Sequence, residues 1–236
     1  MTTHPPINSD YMRAWGTHAH GSDLYRHLVE VVASDADLMR VINRIENQPR
    51  PNLLFAAVQF LLMEDTIHDL ARFYPSLTGN PLLFEEAGEF FRTFVLSLEP
   101  KIVEIGRTRH TQTNECRHCA VLLPAVMRAP FPSFHLVDLG TSAGLNLAMD
   151  KYQYQWDGLG WGPESSVVLV AESHGEPIDP HEIEVLSRTG LDLNPIDSAI
   201  HEERLWLEAL IWPEHSERRE RLTKALGIAS ALTLRN

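Results

Sequence analysis

Through the first half of the chain, apolar residues recur at three- and four-residue intervals, the spacing that lays one hydrophobic stripe along a helix. After Ser22, which can cap a helix start, Leu24, Tyr25, Leu28, Val31 and Val32 hold that spacing. Ser34, with Asp37 three positions on, predicts a second start ahead of Leu38, Val41, Ile42 and Ile45. Past the Pro49-Arg50-Pro51 break, 52 to about 70 is apolar nearly all round and predicts a buried central helix. Turn chemistry at Tyr74-Pro75 and Thr78-Gly79-Asn80-Pro81 precedes helical spacing from 82 to about 106, interrupted near Pro100. A further helix is expected over 113–127, strained at Pro124. Residues 1–20, rich in His, Pro and Thr, read as a flexible arm, and 21–130 as a helical domain.

The period changes after Pro130-Phe131-Pro132. A short apolar run over 134–139 ends in a turn of small residues and leads into a helix-like stretch, 145–151. Tyr152, Tyr154 and Trp156 alternate at period two, Gly158, Gly160 and Gly162 make a loop, and 166–171 is a valine-rich run. Together these predict a β-hairpin inserted at 152–171. The stretch Gly190-Leu-Asp192-Leu-Asn194-Pro195 then reads as a strand ending in a turn, followed by an amphipathic helix from 204 to about 225 and a short apolar segment, 229–234. Strand, helix, strand, helix, strand is the sequence form of parallel α/β winding, so 131–236 is expected to be an α/β unit.

Composition narrows the partners. With 44% hydrophobic residues the 236-residue chain can bury a core, as one large or two small domains. A net charge of −12 argues against non-specific binding of nucleic acid or anionic membrane, both of which need a positive face. The N-terminal stretch is polar and Pro-rich rather than basic-then-apolar, and the longest apolar run, 53–63, is about half of what a membrane span needs. Two cysteines make no disulfide framework, so a cytoplasmic protein of bacterial type is expected.

Candidate chemistry concentrates in Asp138-Leu-Gly140-Thr141-Ser142-Ala-Gly144-Leu-Asn146. A buried strand feeds a turn of small residues that opens into a helix. Such a turn lets a ligand approach the backbone, where unpaired N–H groups carry partial positive charge. Asp138 sits near the strand end, and Asp192 and Asn194 occupy the end of the next strand, where a carboxylate can take both hydroxyls of a ribose. The interval from Gly144 to Asp192 exceeds the roughly 20 residues of an uninterrupted unit, and the inserted hairpin accounts for the excess. Gln112, Asn114 and Glu115 either cap a helix or lie over a cofactor or substrate.

Asp-x-Gly-x-Ser-x-Gly over 138–144, followed by Gly-x-Asp-x-Asn-Pro over 190–195, resembles the first two motifs of class I S-adenosylmethionine-dependent methyltransferases. The resemblance implies a Rossmann-like parallel sheet, with the glycine loop (Asp138, Gly140, Thr141, Ser142, Gly144, Asn146) holding the methionine end of the cofactor and Asp192 its ribose. Ser142 departs from the commoner glycine, tightens the backbone approach and is expected to act only through its bulk. Over nearly its whole length the chain is also similar to the bacterial family called domain of unknown function 2332. The shared phrases are Pro51-Asn-Leu-Leu-Phe-Ala-Ala-Val, Thr111-Gln-Thr-Asn-Glu115, Gly144-Leu-Asn-Leu, Asp192-Leu-Asn-Pro195 and Trp212-Pro-Glu-His215. That resemblance implies a sheet cut short after a third strand at 231–236, and hence self-association through the exposed edge of 134–139.

Competing readings remain open at this point. One is a non-catalytic protein that binds a ligand or partner chain on a degenerate methyltransferase fold. Another is a serine hydrolase, because Gly140-Thr-Ser142-Ala-Gly144 matches a nucleophile elbow, with Asp192 or Asp197 and then His201 or His215 in the required order. Cys116 and Cys119 with His110 look like half a zinc site, which needs four ligands; two packed cysteines on one helix face are the plainer account, and no metal is expected.

Overall fold

The computed structural model describes residues 4–64, 67–174 and 178–232. The chain divides into two compact units, one of residues 1–112 with 205–216, the other of 113–204 with 217–236. A contiguous cut at 130 misses the return of 205–216, whose Trp206 and Ala209 belong to the core of the first unit.

The first unit is helical. It contains α1 (Ser9–Gly16), α2 (Asp23–Ser34), α3 (Ala36–Ile42), α4 (Arg50–Glu64), α5 (Ala87–Ser97) and α6 (Glu99–Thr108). As its apolar circumference predicts, α4 is a buried helix, with Leu53 to Leu62 buried residue by residue, although it ends at Glu64 rather than near 70, where a separate 3-10 helix, Asp69–Phe73, forms. Ser22 caps α2 by accepting the Tyr25 N–H, and Glu214 adds a carboxylate oxygen on the Leu24 N–H at 3.0 Å. The first turn of α2 is therefore anchored by the Trp212-Pro-Glu-His215 phrase, in which Trp212 and His215 pack ring on ring. Buried Gln59 of α4 donates to the Ala209 and Ile211 carbonyls, tying 205–216 to the same core.

Two expectations here are corrected. Residues 1–20 are not a flexible arm over their described part. Asn8 caps α1, Met12 and Ala19 are fully buried, and Arg50 holds the His4 and Pro5 carbonyls. An eight-residue helix that buries only Met12 and Gly16 leaves little periodicity to read. The start of α3 is capped by Asp35 rather than Ser34, its carboxylate accepting from both Asp37 and Leu38 N–H groups while Arg92 neutralises it.

The second unit is mixed α/β. Strand β1 (Ser133–Leu139) pairs in parallel with β5 (Glu184–Leu191), in a register that sets Asp138 opposite Gly190 and Leu139 opposite Leu191. A second sheet has the order β3-β2-β4, with β2 (Gln153–Trp156) antiparallel to β3 (Leu159–Trp161) and parallel to β4 (Val168–Ala171). Hence the hairpin lies within 153–161, and the valine-rich run returns parallel to it rather than closing it. The turn is Asp157-Gly158, both at positive φ, the pair that matches the twist of two antiparallel strands. Helix α7 (Cys119–Met127) precedes β1 and contains Pro124, and a short 3-10 helix, Asn146–Lys151, follows the glycine turn.

Pro213 breaks the long amphipathic helix expected after 204 into α8 (His201–Ala209) and α9 (Ser216–Ser230). Because α9 continues through Ser230, with Ala229 buried on it, no strand forms over 229–232; the rest of the expected third strand, 233–236, lies outside the described residues. Among the described residues no helix is long and apolar enough to cross a membrane.

Candidate functional site

The two sequence motifs meet at the C-terminal end of the parallel pair. Gly140 leaves β1 with φ 77°, Ser142 with φ 51° and Gly144 with φ 76°, so three left-handed residues turn the chain back within five positions. The turn is stitched to the end of β5. Gly140 N–H donates to the Leu191 carbonyl at 2.8 Å, and Ile196 N–H to the Ser142 carbonyl at 3.2 Å. Asp192 supplies the centre of the seam. One carboxylate oxygen accepts the Ser142 N–H at 2.7 Å, and the other accepts the Asn194 N–H at 2.8 Å. Gly144 N–H closes the turn on the Thr141 carbonyl at 2.8 Å.

The need for glycine at 190 follows from the same packing. A Cβ there would lie 2.6 Å from Thr141 Cγ2, nearer than any real contact. Behind the turn, Arg188 of β5 donates to the Leu147 carbonyl at 2.9 Å and clamps the Asp150 carboxylate at 2.5–2.6 Å, fixing the 3-10 helix to the strand. Neither Arg188 nor Asp150 stands out in the sequence, because an ion pair between residues far apart in the chain leaves no spacing to read.

Three buried side-chain oxygens of this turn have no hydrogen-bond partner: Asp138 Oδ2, Thr141 Oγ1 and Ser142 Oγ. Ser142 as a whole is only 4% exposed. Buried polar atoms in folded proteins are almost always partnered, and three orphans within five residues single out this turn as the candidate site. Asn146 accepts a long contact from the Cys119 thiol at 3.7 Å.

The expected flanking segment is also accounted for. Asn114 is buried and its side-chain oxygen accepts from Arg218 of α9 at 2.5 Å. Glu115 takes both of its oxygens to Arg221 at 3.1 Å and lies 3.5 Å from Arg218. Burial works to raise the Glu115 pKa. The Arg221 hydrogen bond, the Arg117 N–H and the two arginine charges outweigh it and leave the carboxyl below its ordinary value. Burial likewise lowers the Arg218 pKa, aided by the like charge of Arg221 and opposed by Glu115. Asn114 and Glu115 thus anchor the start of α9, which is a structural use of both side chains. Gln112 is half-buried and falls in the helical unit by its contacts.

Cys116 and Cys119 are free and buried. Burial, with Glu115 next, pushes the Cys116 thiol up to about 12, and burial, Cys116 and Asp138 push Cys119 up as well. Such thiols are neutral and unreactive at neutral pH. No group of three metal-ligating side chains occurs among the described residues. The Ser142 hydroxyl makes no hydrogen bond to a histidine, and the Asp192 carboxylate is occupied by backbone N–H groups, so neither has the partner that a hydrolase would give it. A separate cavity of about 550 Å³ in the same unit is lined by Ala120, Val121, Pro124, Trp156 and Ala171 and includes no residue of the glycine turn.

Fold and site define a mixed α/β protein whose parallel strand pair ends in a left-handed glycine turn sealed by an acidic residue. The chain belongs to the family described as "Uncharacterized protein conserved in bacteria", domain of unknown function 2332, which matches residues 10–234. No curated protein and no solved structure matches it.

Proposed function

We propose that the chain is an S-adenosylmethionine-binding, methyltransferase-like protein whose cofactor sits at the turn between β1 and the 3-10 helix. The observation that carries this is the trio of orphaned oxygens on Asp138, Thr141 and Ser142 at the C-terminal end of a parallel strand. Ligands of open parallel sheets gather at that end. The donor set fits the cofactor's amino-acid end: a carboxylate oxygen can receive an ammonium group, and two hydroxyls can donate to a carboxylate. A phosphate would meet Asp138 as a like charge, which favours this cofactor over NAD. If methyl transfer follows, it is an in-line displacement governed by positioning. Calorimetry with S-adenosylmethionine, S-adenosylhomocysteine and NAD tests the reading. Heat with the first two and none with NAD is expected; no heat with either sulfur compound would rule it out.

A second reading has its own observation. His135, Val137 and Leu139 face outward with Ser187, Thr189 and Leu191, and Val137, Leu139 and Leu191 are 61%, 76% and 51% exposed. Parallel strands are normally covered on both faces. This bare face supports a role in association, with a second copy as the simplest partner, whether or not the chain turns over a substrate.

A further inference from the structure

The glycine turn is sealed rather than open. The N–H groups of Gly140, Ser142 and Gly144 are each spent on an oxygen of the chain itself, two of them across the seam to Leu191 and Asp192. Asp138 Oδ2, Thr141 Oγ1 and Ser142 Oγ are hidden from solvent and partnerless at the same time. Ser142 is held at both ends of its peptide, by Asp192 on its N–H and by Ile196 on its carbonyl, in a left-handed conformation that a side chain disfavours. A turn that satisfies its backbone while starving its side chains is the less favourable of two arrangements for those side chains, and something must hold it.

We propose that this is the closed state of a ligand turn and that Asp192 is its latch: a ligand enters only when the Asp192 carboxylate releases the Ser142 N–H. The release uncovers the Asp138, Thr141 and Ser142 oxygens for an aminocarboxylate group, and the freed carboxylate becomes available to the ligand's hydroxyls. The naming of the ligand rests on the S-adenosylmethionine reading above; the latch itself does not. Asp192 is in this sense a positioning residue for the turn, and the Ser142 hydroxyl a ligand contact that the latch withholds.

Two measurements on the full chain separate the parts. Without ligand, amide hydrogen exchange is followed at Ser142 in wild type and Asp192→Ala. A hydrogen bond to a charged group corresponds to about a 10- to 100-fold change in an equilibrium, so exchange should quicken by about that factor. Equal exchange in the two proteins would overturn the latch. With S-adenosylhomocysteine, stopped-flow association monitored by tryptophan fluorescence should give a wild-type rate that levels off as ligand rises, because opening limits it. Asp192→Ala should instead rise in proportion to ligand, and Ser142→Ala should keep the plateau while binding about tenfold more weakly through the lost hydroxyl bond. A wild-type rate that stays proportional to ligand throughout would overturn the latch even if Asp192→Ala fails to fold. If S-adenosylhomocysteine does not bind at all, the cofactor reading and the Ser142 contact fall together, and the exchange experiment alone judges the latch.

Discussion

Ser142 concentrates the tension between stability and use in this chain. At φ 51° it occupies a conformation that costs a residue with a side chain about 1–2 kcal/mol relative to glycine, and its hydroxyl is buried without a partner. Ser142→Gly should therefore stabilise the ligand-free protein by about 1 kcal/mol, read as a higher denaturant midpoint with an unchanged slope. A destabilised variant would mean that the hydroxyl has a structural role. The sequence expectation that Ser142 acts only through its bulk does not provide for this, since a motif shows which residue stands in the turn but not what its oxygen lacks. At Glu115 the argument is electrostatic. Its folded pKa lies below its ordinary value of 4.5, so the stabilisation is complete above that pH and is lost as pH falls through the folded value. Glu115→Gln should lose about 2 kcal/mol at pH 7, with the deficit against wild type shrinking steadily below pH 4.5. Thermal melts from pH 7 to pH 3 check this. Asp35, Glu99 and Glu220 shift in the same direction, so only the difference between the two proteins isolates Glu115.

Elements were legible where burial is one-sided and continuous. The stripe of α2 and the apolar circumference of α4 predict their helices directly, and Ser22 is the cap that its position after a polar stretch suggests. Legibility fails where long-range pairing decides. The strand expected from 190 onward ends at Leu191, because β5 is built from 184–191 by its register with β1, and its inner positions are Arg188 and Gly190 rather than an apolar run. The valine run of β4 reads as one arm of a hairpin until Asp157-Gly158 is recognised as the turn. Pairing of the strand with the glycine turn also makes a prediction at this scale. Gly190→Ala drives a methyl into Thr141, and overpacking of this kind costs about 1–3 kcal/mol. In a Thr141→Ala background the Cγ2 contact is gone, so most of that cost should vanish. A double-mutant cycle by chemical denaturation measures the coupling, and additive effects would show that the strand and turn do not pack as described.

For the whole molecule, the sequence pattern points to a mixed α/β protein, which the structure is, but it does not show that 205–216 returns to the unit formed by 1–112. Trp206 and Ala209 look like one face of an ordinary amphipathic helix, and only the buried Gln59 amide and the helical core reveal their allegiance. The outward face of β1 and β5 is the feature with consequences at this scale. Among the described residues β1 pairs with β5 alone, so its second edge has no strand beside it, and from His135 to Leu139 and Ser187 to Leu191 the face it shares carries no Asp, Glu, Lys or Arg, with Glu184 lying beyond at the Ser133 end. A chain of net charge −12 repels its own copies everywhere else, and exposed apolar area with a free strand edge is where two copies can still meet. If they do, the mass measured by light scattering should rise with concentration, and rise further with salt, since screening weakens the repulsion while leaving apolar burial intact. Val137→Lys together with Leu139→Glu should hold the chain monomeric under the same conditions, with little change in melting temperature because both side chains are more exposed than buried. A wild type that stays monomeric from low to high salt would remove the second copy as occupant of this face. A double variant that melts far lower would instead show that the face is already engaged within the chain.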